Sequence, residues 1–162
     1  MTNFRKNMRK KITAITVLGM TTVGAIEASY AEYFVSAFDH GKAFDQLMEG
    51  DIGAASAELQ DRKAKRVSYA DGNNLCVSQI LSADYGAAID SCEEAIRKTP
   101  RVTIHNTHNF KADIYSNLAV AKAMMGDNEG ALADLKLSLS LNRKNENAIK
   151  NYDRLLSFQL AD

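Results

Sequence analysis

Tryptophan is absent from this 162-residue chain, proline occurs once and cysteine twice. A single proline argues against a loop-rich β fold, whose turns draw on that residue, and an apolar fraction of 46% argues against disorder. Two cysteines are too few for a disulfide scaffold, and without a Cys-x-x-Cys pair they make no redox centre. Net charge is zero at pH 7. That average hides an asymmetry: the first 31 residues carry +4 and the rest carries −4. An acidic body lacks the clustered Lys and Arg on which nucleic-acid binding rests. There is no Gly-x-Ser-x-Gly, no phosphate-binding Gly-Lys-Ser/Thr and no His-Glu-x-x-His. No catalytic residues are assigned, and no enzyme activity or cofactor is expected.

The positive charge is concentrated in Arg5, Lys6, Arg9, Lys10 and Lys11, and the apolar run Ile12 to Ile26 comes directly after it. Ser29 and Ala31 then place small side chains three and one positions before Glu32. This is the layout of a cleavable secretory leader, 1–31, cut before Glu32. The run is shorter than the ~20 residues that span a bilayer, so no stable membrane span is expected after cleavage. The expected location is outside the cytoplasm: the periplasm of a bacterium, or the extracellular space.

Beyond the leader, Ala, Leu, Lys and Glu favour helix. Three stretches share one pattern: Glu49 to Leu59, Ser82 to Cys92 and Met125 to Leu135. Asp51, Asp84 and Asp127 hold the same place in each, 33 and 43 residues apart. Gly50 and Gly126 precede two of them, suited to the left-handed residue that ends a helix, and each Asp is suited to cap the next helix. Helices are expected near 33–48, 52–66, 72–82, 86–98, 111–125, 129–141 and 146–160. The last has an apolar face of Ala148, Ile149, Tyr152, Leu155, Leu156 and Phe158, suited to covering the end of a stack.

These segments resemble the tetratricopeptide repeat, a helix–turn–helix unit of about 34 residues. The closely packed small residues of the family correspond to Cys76, Ala88 and Ala95 in one unit, and to Ala119, Ala131 and Ser138 in the next. Leu75, Leu118, Tyr115 and Pro100 match further positions. Gly72, Gln79 and Lys122 stand where aromatics are usual, and Arg143 replaces a proline. The resemblance implies an all-α fold: repeats near 36–68, 69–102 and 112–145, with a capping helix over 146–160, in a domain spanning 32–162. It also implies a protein-interaction module whose concave face is lined by Asn73, Val77, Ile80 and Leu81 in one unit and Asp113, Ser116, Val120, Ala123 and Met124 in the next. That face would suit an amphipathic helix or an extended apolar peptide of unknown identity. Alternatively, the same residues pack against neighbouring elements, or the groove is filled by another copy in a homodimer.

Cys76 and Cys92 lie eight residues to either side of Asp84, so a hairpin turning there sets them opposite one another. Either they bridge, as an oxidising compartment allows, or they are buried free thiols. His105 and His108 fall in a polar insertion, Thr103 to Phe110, with Asp113 as the nearest acid; no metal site is expected from so few ligands. His40 reads as a surface or packing residue.

Overall fold

A computed structural model describes residues 12–16, 32–60, 67–100 and 107–159. Among these the fold is all-α, with seven helices and one two-stranded ribbon. The ribbon pairs β1 (Ile12–Thr16) antiparallel with β2 (Glu32–Val35), Ile15 opposite Tyr33. The helices are α1 (Phe44–Glu49), α2 (Ile52–Gln60), α3 (Tyr69–Leu81), α4 (Tyr85–Lys98), α5 (Thr107–Met124), α6 (Asn128–Leu141) and α7 (Glu146–Gln159). Consecutive helices pack as hairpins, and α3, α5 and α7 also touch side by side as one row.

Local chemistry explains the hairpins. Asp51, Asp84 and Asp127 accept hydrogen bonds from the amides of Ala54, Ala87 and Gly130, capping α2, α4 and α6. Gly50 and Gly126 take the left-handed conformation, with φ of 78° and 85°. The middle hairpin uses Ala83 at the same place, at φ 60°. A Cβ there makes the conformation less favourable than glycine would. Ser68 and Asp71 form a reciprocal capping box at the start of α3.

Small residues bring the helices together. A Cβ on Gly72 would meet the Ala95 Cβ at 3.2 Å, and Ala88 and Ala95 are fully buried. The missing aromatic at Gly72 therefore lets α3 and α4 approach closely. At Lys122, also without its aromatic, the ammonium sits 2.6 Å from the Asp134 carboxylate and ties α5 to α6. Burial pushes the Asp134 carboxyl up against the pull of that ammonium. Helix α7 buries Ala148 and Leu155 against Ala119, Ala131 and Leu135. Ile149, expected on the inward face, is instead exposed.

The largest departure is at the start of the domain. A helix expected over 33–48 is confined to Phe44–Glu49. The preceding residues run extended and enter the interior: Tyr33, Val35, Ser36, Ala37 and Phe38 are all buried. Apolar residues at five of six consecutive positions suit neither face of a surface helix, and a strand buried on both sides accommodates them. The leader reading lies outside the described residues except for Ile12–Thr16, which is a strand here. No helix among the described residues is long and apolar enough to cross a membrane.

Cys76 and Cys92 are joined by a disulfide, with Cα atoms 5.2 Å apart. Their separation of 16 residues closes a short loop, so the bridge stabilises by about 3 kcal/mol in the chain-entropy model. The intact mass should rise by two hydrogens on reduction, and Cys76→Ser with Cys92→Ser should lose stability of that order in chemical denaturation. An unchanged mass after reduction would contradict the bridge.

Candidate functional site

The row of α3, α5 and α7 carries buried asparagines. Asn73 and Asn74 stand on α3, Asn117 on α5, and Asn147 and Asn151 on α7, all of them buried. A carboxamide presents one acceptor and one donor pair side by side. An extended residue presents its own N–H and C=O on one edge, with the two groups of alternate residues on the same edge. The two patterns are complementary, and three of the asparagines use this match directly.

Asn151 Oδ1 accepts from the Phe34 amide at 2.8 Å, and its Nδ2 donates to the Phe34 carbonyl at 2.8 Å. Asn117 does the same for Ser36, at 2.8 and 2.9 Å. Asn74 does it for Phe38, at 2.7 and 3.0 Å. Asn74, Asn117 and Asn151 are separated by 43 and 34 residues, one each on α3, α5 and α7. Each step along the row of helices thus advances two residues along the strand. The opposite edge of β2 faces β1.

Two further asparagines complete the set. Asn73 Nδ2 donates to the Ser36 carbonyl at 2.8 Å, and Asn73 Oδ1 accepts from Asn117 Nδ2. Asn147 Nδ2 donates to the Val35 carbonyl at 3.2 Å and to the Ser36 hydroxyl at 2.8 Å.

Side chains of the segment fill the remaining space. Tyr33, Val35, Ala37 and Phe38 share one apolar cluster with Val77, Ile80 and Val120. The Phe38 ring packs edge-on to Phe110 and Tyr69, at centroid distances of 5.2 and 6.2 Å, and His40 stacks on it at 5.6 Å. Lys150 lies 4.7 Å over the Phe34 ring at the other end. Beyond Phe38 the chain turns tightly. Gly41 donates to the Phe38 carbonyl, and a Cβ there would meet the Ala70 backbone at 2.9 Å. Asp71 accepts from the Lys42 amide at 2.8 Å and fastens the turn. Burial works to raise the Asp71 carboxyl, but the Lys42 and Ser68 hydrogen bonds and the nearby Lys42 charge outweigh it and hold the group below its ordinary value.

The residues expected to line an open groove are therefore distributed differently. Asn73 bonds the segment, and Ser116 Oγ accepts from Asn151 Nδ2. Val77, Ile80 and Val120 are core, because the segment covers them. Leu81, Ala123 and Met124 are partly buried against the same cluster. Asp113 accepts from Asn145 Nδ2 at 3.0 Å and ties α5 to the start of α7 rather than facing a ligand. His40 contacts the Tyr69 hydroxyl at 3.1 Å. His108 belongs to the first turn of α5, and His105 lies outside the described residues. Among the described residues no three His, Cys, Asp or Glu side chains gather as a metal site would require.

No family model matches the chain, and no curated protein matches its sequence significantly.

Two outcomes check the geometry. Asn117→Ala leaves the Ser36 amide buried without its acceptor and should lower stability by about 3 kcal/mol, whereas Asn128→Ala, at the exposed start of α6, should change it little. The Asp71 carboxyl is depressed in the folded state, so the unfolded chain binds the extra proton. Its stabilisation is complete above about pH 4 and is lost as pH falls through the folded value. Denaturation measured from pH 5 downward should decline less steeply for Asp71→Asn than for the parent chain.

Proposed function

We propose that this chain is a protein-interaction module of the cell envelope, a tetratricopeptide-like array whose concave face binds an extended polypeptide by its backbone. The observation that carries the reading is the ladder of Asn74, Asn117 and Asn151, which holds the amide and carbonyl of alternate extended residues. Such a site recognises strand conformation directly, as other strand-accepting grooves do through main-chain hydrogen bonds. The spacing of the ladder by whole hairpins supports the repeat reading. The basic, apolar and small-residue order of the first 31 residues supports export. Tyr33–Phe38 is the resident occupant, so an external partner replaces it.

A second reading rests on the same ladder. Every copy carries the same Tyr33–Phe38 segment, so two copies exchanging it would satisfy the groove equally and form a dimer. In that case the module is structural rather than adaptive.

Cross-linking separates these readings. Lys150 and Lys42 are exposed and flank the two ends of the occupied groove, whereas Lys136 is exposed on α6 in the other row. Lysine cross-linking in envelope preparations, read by peptide mass spectrometry, should join Lys42 and Lys150 to one partner segment. Links from these lysines only to a second copy, at a dimer's mass, favour the exchange. Partner links confined to Lys136 would overturn binding at the concave face.

A further inference from the structure

Resting on the reading just given, we propose that the partner of this groove is an extended segment of the pattern aliphatic–serine–small–aromatic, with Asn147 reading the serine. The backbone ladder by itself accepts almost any extended chain, because it touches only amides and carbonyls. Selectivity has to come from where the resident side chains are enclosed.

Ser36 is the point of greatest polar enclosure. It is 5% exposed, its carbonyl accepts from both Asn73 and Asn117, and its hydroxyl accepts from Asn147 Nδ2. Asn147 is 3% exposed and its two Nδ2 hydrogens have two acceptors, the Ser36 hydroxyl and the Val35 carbonyl. An alanine at this place in a ligand would leave one of those hydrogens buried and unpaired. A leucine would do so and also crowd a site closed by asparagines on three helices. A buried donor stripped of its acceptor opposes binding more strongly than a gained contact favours it.

The flanking positions read size and shape. Val35 is 1% exposed within the aliphatic cluster that includes Val77, Ile80 and Val120. Ala37 is buried in the same cluster, so a larger side chain there would have to displace its neighbours. Phe38 enters a bay formed by Tyr69, Phe110 and His40. Tyr33 is buried but Phe34 after it is only partly so, and the unbroken enclosed run therefore begins at the aliphatic residue.

The experiment uses the full chain with Ser36→Pro. Proline removes the amide that Asn117 accepts and the hydroxyl that Asn147 needs, which loosens the resident segment. A fluorescent peptide, Glu-Tyr-Phe-Val-Ser-Ala-Phe-Asp, copies residues 32–39, and a second carries leucine in place of its serine. Anisotropy should show the serine peptide binding the variant about tenfold more tightly than the leucine peptide, or better. Adding Asn147→Ala should shrink that difference while the serine peptide still binds. Equal binding of the two peptides would overturn the selectivity and leave the strand-binding groove standing. Binding of neither peptide to the folded variant would overturn both. Should Ser36→Pro fail to fold, Ser36→Ala with Phe38→Ala removes the resident hydroxyl from Asn147 and the resident ring from its bay, and takes its place against the same two peptides, with the same outcomes.

Discussion

A polar group taken out of water must find a partner, and that obligation organises this molecule. The helices satisfy their own amides internally, so a row of buried carboxamides on their inner face cannot be served by helix backbone. An extended segment buried between helices has the converse difficulty: its inner-edge amides have no neighbouring strand. Asn74, Asn117 and Asn151 resolve both at once, each bonding one residue of Tyr33–Phe38. Neither part is complete alone. The resulting bonds join residues 36, 81 and 117 positions apart, so Phe34, Ser36 and Phe38 bind the third, fifth and seventh helices into one unit.

Periodicity makes the ladder work. Two extended residues advance about 6.8 Å, and the strand must meet a new asparagine at each such step. α3, α5 and α7 lie side by side and present one asparagine at each such step. Small residues close each hairpin: Gly72 against Ala95 and buried Ala88 between α3 and α4, and buried Ala119 and Ala131 with Ser138, whose hydroxyl donates to the Ala112 carbonyl at 2.6 Å, between α5 and α6. The Cys76–Cys92 bridge fastens the pair α3 and α4, and the Lys122–Asp134 ion pair fastens α5 to α6. These are ties within hairpins. The strand is the tie between them.

The hairpins are legible in the sequence because their signals are local. Asp51, Asp84 and Asp127 each cap the next helix, and Gly50 and Gly126 each close the one before. The course of Tyr33–Phe38 is not legible in the same way. Its apolar density has no helical or alternating period, and the groups that fix it lie on three helices far along the chain. The repeat pattern puts Val77 and Val120 on the concave face, as groove positions. Both are instead buried in one cluster with Tyr33, Val35, Ala37 and Phe38. A usable signal is nevertheless present. Asn74 and Asn117 are separated by the same 43 residues as Asp84 and Asp127, and Asn151 comes one 34-residue step later. A buried asparagine recurring at matching places on three helices has no structural use in a helix, where its propensity is poor. It has a use when something with unpaired amides lies against it.

Under the proposed reading, this division of labour sets how a partner competes. The ladder contributes affinity for any extended backbone, so it does not distinguish an external segment from the resident one. The resident one is tethered through the Gly41 turn, and a short tether corresponds to an effective concentration on the order of millimolar. An external segment therefore has to gain through side chains what it lacks in proximity. The places where side chains are enclosed are few: the hydroxyl site at Asn147, the aliphatic cluster and the aromatic bay of Tyr69, Phe110 and His40. Asp71 sits at the foot of the tether, on the Lys42 amide, and not on the strand itself. Loosening that turn weakens the advantage of the resident segment without altering the surface that an incoming strand would meet. The groove and its tether are thus separable controls, one on which chain is recognised and the other on how readily the resident yields.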